Sequence, residues 1–299
     1  TLIEARRRLV FDEFLLFALS IDRLKQSREK TKSSLDVEKS STIVDFISTL
    51  PFSLTDAQKK VWEEIENDLT SGLRMNRLVQ GDVGSGKTML AILACLLMAK
   101  NGYQSSVMVP TEVLARQHFE SFSITLEKYG VRVVLFTGSI KGKERKNTLA
   151  MIENHEADII IGTHALIQEK VVYDKLALVI TDEQHRFGVN QRRIFREKGD
   201  NPDVLMMTAT PIPRTLAITA FGEMDVSIID QMPAGRKPII TRWVKHEQLD
   251  TVLTWIKGEL DKDAQVYFIS PLIEESEALD LKNAVALHQE LTDFFGDSA

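Results

Sequence analysis

Apolar positions recur along this chain in two rhythms, and their alternation sets the fold class. Short, nearly continuous apolar runs at 77–80, 106–109, 132–136, 158–161, 176–180 and 204–207 have the length and β-branched content of buried strands. Between them, 89–100, 112–126, 143–154 and 191–198 place apolar residues at helical spacing, with Asn101-Gly102 closing the first of these helices. Strands separated by ten to twenty helix-forming residues predict βαβ units, and hence an α/β fold with a parallel sheet covered by helices on both faces. Ligands of such sheets collect at the carboxyl ends of the strands.

The ends of the chain read differently. Residues 1–50 predict a helical connecting arm, with an apolar stripe of Leu9, Phe11, Phe14, Leu15 and Leu16 beside Arg6-Arg7-Arg8 and a polar, Lys/Glu/Ser-rich stretch from Ser27 to Ser41. Residues 51–230 form the main α/β lobe. From Gln231 the composition becomes linker-like, and a fresh pattern follows: a strand at 239–244, a helix at 247–260, a strand at 265–270 and a helix at 285–295. That is too short for a complete domain, so 231–299 is expected to be a linker and the incomplete start of a second lobe.

The chemistry concentrates in Leu78-Val79-Gln80-Gly81-Asp82-Val83-Gly84-Ser85-Gly86-Lys87-Thr88, which reads G-x-x-x-x-G-K-T between a strand and a helix. Its glycines let successive backbone N–H groups curl around phosphate oxygens, and the following helix aims its positive dipole end at the same anion. Lys87 would reach the terminal phosphates and Thr88 would ligate Mg²⁺. Upstream, Thr55 and Gln58 stand at capping-box spacing before a helix through Val61, Trp62, Ile65 and Leu69. A second reading has the Gln58 amide offering a donor and an acceptor to an adenine edge.

Four further strand ends carry polar groups. The 176–180 run delivers Asp182-Glu183-Gln184-His185, two adjacent acids that a bound cation would reconcile, one serving the metal and the next polarising an attacking water. His185 has no second His or Cys at ligand spacing, so a relay role suits it better than metal ligation. The 204–207 run delivers Thr208-Ala209-Thr210-Pro211, whose hydroxyls can exchange hydrogen-bond partners as a nucleotide changes state. The segments 109–117 and 162–166 end two more strands with backbone N–H groups and hydroxyls that can hold phosphodiester oxygens, although helix capping explains Thr111 equally well.

Composition adds limits. The 299 residues suffice for about two domains, and 43% apolar with 27% charged residues describes an ordinary soluble protein. No apolar run approaches the ~20 residues of a membrane span. A single cysteine, Cys95, fits a reducing compartment, and core packing accounts for it. With a net charge of −6, any nucleic-acid binding must come from local patches.

Taken together, Gly81 to Thr88, Asp182-Glu183-Gln184-His185-Arg186-Phe187-Gly188-Val189 and Thr208-Ala209-Thr210-Pro211-Ile212-Pro213-Arg214-Thr215-Leu216 resemble superfamily 2 helicases, specifically those of the RecG type. The resemblance covers nearly the whole chain. It implies a RecA-like first lobe and ATP-dependent unwinding of branched DNA, by branch migration and fork reversal, in recombination and repair. Gln58 and Phe52 would hold adenine, Gly81 through Thr88 the phosphates, Thr88 and Asp182 the Mg²⁺, and Glu183 the attacking water. His185, Thr208 and Thr210 would couple hydrolysis to movement, while Thr111, Arg116, Gln117, Thr163 and His164 would line the DNA track. Also implied are a cytoplasmic, nucleoid-associated bacterial parent and a single-stranded-DNA-binding protein as its partner. The transcription-repair coupling factor shares much of this pattern, but usually has an aromatic where Ser85 stands and a second Glu where Gln184 stands. Arginine fingers contribute ~10³ to 10⁵ in rate in P-loop enzymes and lie on motifs beyond this chain, so the fragment alone is expected to turn over little ATP.

Overall fold

In a computed structural model the chain divides into two compact units, Thr1–Arg236 and Lys237–Ala299. The residues described are 2–29, 33–182, 198–199, 201–210, 224–232, 239–245, 248–262, 264–269 and 284–296. The first unit is built on a seven-stranded sheet of β1 (Asn76–Gly81), β2 (Gln104–Met108), β3 (Val133–Phe136), β4 (Ile159–Gly162), β5 (Leu176–Asp182), β6 (Asp203–Thr208) and β7 (Asp225–Ile229). Their order is β3-β4-β2-β5-β6-β1-β7, and every pairing is parallel. The expected covered sheet is therefore present.

Alternating residues explain the two-sided burial. Val79, Val107, Ile159, Ile161, Leu178, Ile180, Leu205 and Met207 join one core with α2 (Ser41–Ser48), α3 (Asp56–Thr70), α4 (Lys87–Lys100) and α5 (Glu112–Leu126). Their neighbours Met108, Ile160 and Val179 face the opposite side, with Ile152 of α6 (Gly142–Glu153). Helix α4 is apolar all round and buried from Leu90 to Met98, as a helix at the centre of a core must be. Cys95 is buried there, where desolvation pushes its thiol up to about 12 and leaves it inert.

The expected arm divides in two. Helix α1 (Leu2–Glu29) keeps Leu9, Phe11, Phe14, Leu15 and Leu16 exposed. From Val37 onward the chain belongs to the main core instead, with Ile43 and Phe46 buried among residues of α4.

Strand β7 escaped the sequence reading because Asp225-Val226-Ser227-Ile228-Ile229 has no long apolar run. A polar network fixes it: the Arg77 guanidinium donates to Asp68 at 2.7 Å, Glu64 at 3.1 Å and Ser227 at 2.6 Å, and Ser227 also hydrogen-bonds Glu64. In the second unit, α7 (Leu249–Leu260) and α8 (Ala284–Phe295) form as predicted and pack Leu253, Ile256 and Leu291 together. The strands expected at 239–244 and 265–270 do not form among the described residues. A strand needs a hydrogen-bonded neighbour, and Ile239, Trp243, Tyr267 and Ile269 are instead solvent-exposed.

One buried carboxylate makes this fold sensitive to pH. Asp203, at the start of β6, is 1% exposed and accepts the Met75 N–H at 2.6 Å. Burial, aided by nearby Asp68, pushes its pKa up to about 7 against the opposing Met75 amide and Arg74. A raised folded-state value means that this group's contribution to stability is intact below about pH 4 and is lost as pH rises through about 7. Asp203→Asn keeps an acceptor for Met75 and removes the charge. It is expected to raise the melting temperature at pH 8 by several degrees, on the order of 2–4 kcal/mol, to have a smaller effect at pH 5, and to change little near pH 4. Thermal melts at both pH values check this, and a lower melting temperature at pH 8 would contradict it.

Candidate nucleotide and nucleic-acid site

The phosphate loop runs from the end of β1 into α4. Gly84 and Gly86 take positive φ of 78° and 90°, and α4 begins on Gly86 with no side-chain cap, so its first-turn N–H groups face the loop's hollow. The buried Lys87 ammonium donates to the Gly81 carbonyl at 2.6 Å and the Asp82 carbonyl at 3.0 Å. Asp82, Val83 and Gly84 form the exposed crest, with the Asp82 carboxylate accepting the Val83 N–H at 2.8 Å, while Ser85 is fully buried with its Oγ unpartnered. Thr88 is half-buried on the first turn of α4.

Gln58 combines the cap reading with a contact the sequence did not suggest. Thr55 and Gln58 form the reciprocal capping box, and the Gln58 Nε2 also donates to the Ser85 carbonyl at 2.7 Å. A Cβ at Gly86 would lie 2.2 Å from that Nε2, so glycine is required there for space as well as for φ. Phe52 is half exposed on a cavity of about 500 Å³ whose lining includes Met89, next to Thr88 on α4, with Phe46, Pro51 and Ile124 but not Gln58.

Strand register assembles the rest. Asp182 at the end of β5 is level with Met207 of β6, which is level with Val79 of β1. Two strand spacings of roughly 4.8 Å put Asp182 about 10 Å across the sheet from Val79, on the edge from which the loop departs. Between them, the Thr208 and Thr210 hydroxyls hydrogen-bond at 2.8 Å, and Thr208 is level with Gln80. Glu183 and His185 lie outside the described residues.

The nucleic-acid candidates group at the ends of the adjacent strands β2 and β4. Thr111 caps α5 by accepting the Leu114 N–H, and Arg116 and Gln117 are exposed on that helix. Thr163 is buried with an unpartnered Oγ1, and His164 is exposed at the start of a short 3-10 turn. Gly162 holds β4 close to β3: a Cβ there would come 2.0 Å from the Phe136 carbonyl oxygen.

Sequence reasoning missed two features. The Ser139 N–H, after β3, donates to Glu112 at 3.0 Å and ties that turn to the start of α5, and hydrogen bonding from the Ser139 side chain, with its N–H adding to it, holds the Glu112 carboxyl below the usual range. His118, also on α5, is buried with its Nε2 3.2 Å from the Asp182 carboxylate. Its signal was present as the one titratable residue on the Ala115-His118-Phe122-Leu126 face of an otherwise apolar stripe.

A parallel sheet that carries a phosphate loop, an aspartate and a threonine pair along one edge defines a RecA-like motor lobe. The chain belongs to the DEAD/DEAH box helicase family, whose model matches residues 55–218, and its sequence is of the RecG type. It is 59% identical over 297 residues to the ATP-dependent DNA helicase RecG of Streptococcus pneumoniae, covering 99% of this chain and 44% of that protein. To the Bacillus subtilis RecG it is 54% identical, covering 97% of this chain and 43% of the relative. Among solved structures, RecG bound to a three-way DNA junction superposes with a TM-score of 0.81 at 38% identity, covering 98% of this chain and 38% of that one. The chain thus spans less than half the length of these relatives.

Proposed function

We propose that this chain is the nucleotide-binding part of an ATP-driven motor that unwinds branched DNA; its curated relatives are named ATP-dependent DNA helicases, and the RecG structure it resembles is bound to a three-way DNA junction. The observation that carries the reading is the shared edge: phosphate loop, Asp182 and the threonine pair end neighbouring strands, and the nucleic-acid candidates end the next ones.

The residues fit a triphosphate. An uncapped helix start, the unpartnered Ser85 Oγ and an ammonium resting on loop carbonyls supply donors that an anion can take over. For Mg²⁺, the Thr88 hydroxyl and the Asp182 carboxylate are the oxygen donors. No group of three or more His, Cys, Asp or Glu among the described residues could hold a metal. Few protein ligands are what Mg²⁺ needs where phosphates and waters complete its shell. When bound, the ion would neutralise charge developing on the phosphates. Lys87 would hold the terminal phosphates, Glu183 would accept a proton from the attacking water, and Gln58 would fasten the loop through Ser85 while Phe52 offers a face to adenine. Thr208 and Thr210 would exchange partners with His185 as the site opens and closes. Thr111, Arg116, Gln117, Thr163 and His164 would bear on the phosphodiester backbone. Among the described residues no helix is long and apolar enough to cross a membrane. The bacterial relatives are DNA helicases, and a cytoplasmic, nucleoid-associated protein with a single-stranded-DNA-binding protein as partner is the setting proposed for this chain.

Glu183→Gln in the intact protein tests this. The variant is expected to retain ATP and to bind forked DNA more tightly than linear duplex in a gel shift at fixed salt, while losing unwinding. Unchanged unwinding would remove Glu183 from the chemistry, no ATP-dependent unwinding by the unsubstituted protein would exclude the motor, and equal affinity for the two DNAs would exclude branch recognition.

A further inference from the structure

Helix α5 touches both halves of the shared edge. Its first turn follows Thr111 and is fastened to the turn after β3 through Glu112 and Ser139, and Arg116 and Gln117 lie exposed on it. One residue further on, His118 turns inward, 8% exposed, with its ring edge-on to Phe122 at a centroid distance of 6.1 Å. Its Nε2 meets the Asp182 Oδ2 at 3.2 Å, although β5 and α5 are far apart in sequence. The Asp182 side chain is 15% exposed, so this buried contact bears strongly on its orientation.

We infer that His118 is a positioning residue: it holds the Asp182 carboxylate in the orientation that receives Mg²⁺, and links that carboxylate to the exposed face of α5. A ring N–H on a carboxylate oxygen restrains the rotamer of a metal-ligating aspartate. Because the ring belongs to a single helix with Arg116 and Gln117, a shift of α5 under a bound DNA backbone is transmitted to Asp182 without an intervening loop. By linkage, DNA that alters Mg²⁺-dependent nucleotide affinity is itself bound differently when nucleotide is present. This inference rests on the function proposed above.

The test uses the intact protein and a fluorescent ADP analogue, titrated with Mg²⁺ or with EDTA, each with and without forked DNA. His118→Phe preserves the ring packing on Phe122 and removes the N–H, whereas His118→Gln restores a donor of similar reach. The Phe variant is expected to weaken Mg²⁺-dependent binding about tenfold, within the range for lost outer-shell partners of metal ligands. Its affinity in EDTA should equal that of the unsubstituted protein, the effect of DNA on nucleotide affinity should fall toward none, and the Gln variant should recover most of both. If His118→Phe melts early, His118→Leu carries the same readings. A donor-less variant that keeps the full Mg²⁺ and DNA effects overturns the inference and leaves the proposed function standing. If the unsubstituted protein shows neither Mg²⁺-dependent binding nor an effect of DNA, the proposed function fails and takes this inference with it.

Discussion

Lys87→Ala in the intact protein is expected to lower DNA-stimulated ATP hydrolysis by about 10²- to 10³-fold, the scale for removing one preorganised donor from a developing charge. The ammonium is buried and directed by its 2.6 and 3.0 Å contacts to the Gly81 and Asp82 carbonyls, so it already sits at the mouth of the loop. Both of these contacts are to the loop itself, so the melting temperature should move by only a few degrees. Lys87→Arg is expected not to rescue, because a planar fork cannot occupy the position of a compact point charge on a short curl of backbone. Steady-state ATPase rates with forked DNA, read beside thermal melts, decide the matter. Turnover within threefold of the unsubstituted protein would remove this lysine from the chemistry.

The parts of the molecule that could be read from sequence are those whose physics is local. The loop from Gly81 to Thr88 is legible because contiguous residue types determine its backbone path. The core strands are legible because a run buried on both faces has to be largely apolar, as Ile159-Ile160-Ile161 of β4 and Val204-Leu205-Met206-Met207 of β6 are. What stayed hidden depends on partners distant in the chain. Strand β7 rests on Arg77 and Ser227, 150 residues apart. His118 meets Asp182 across 64 residues, and the second bond of the Gln58 amide crosses 27. The opposite error has the same root: 239–244 and 265–270 have the composition of strands, but composition cannot supply the neighbour that makes a strand.

Gln104→Leu is expected to destabilise the first unit by about 3–5 kcal/mol, seen as a lower urea midpoint by fluorescence of the buried Trp62. Leucine is close to glutamine in size, so the loss comes from polarity and not from a cavity. The fully buried Gln104 Nε2 donates to the carbonyls of Ile152 and Ala157, both at 2.9 Å, while its Oε1 accepts the N–H groups of Asp174 and Lys175 at 2.9 and 3.2 Å. One amide thus ties together the end of α6, the approach to β4 and the approach to β5. Leucine would strand the Ala157 carbonyl and the Asp174 and Lys175 N–H groups at about 1–3 kcal/mol each, reduced where water reaches exposed Asp174 and Lys175, while the Ile152 carbonyl keeps the Asn154 and His155 N–H groups. Gln104→Glu, nearly isosteric, should be no better at neutral pH, since a carboxylate would face two carbonyl oxygens. The consequence extends to the opposite edge of the sheet. The β2–β5 register shifts between Gln104 and Ser105, so this clamp sits where the pairing is set. A slip of one residue would turn every side chain of β5 to the other face and carry Asp182 away from His118. Variants that still fold should therefore lose Mg²⁺-dependent nucleotide binding in parallel with stability. A Gln104→Leu protein with an unchanged urea midpoint would show that the clamp does not hold the register.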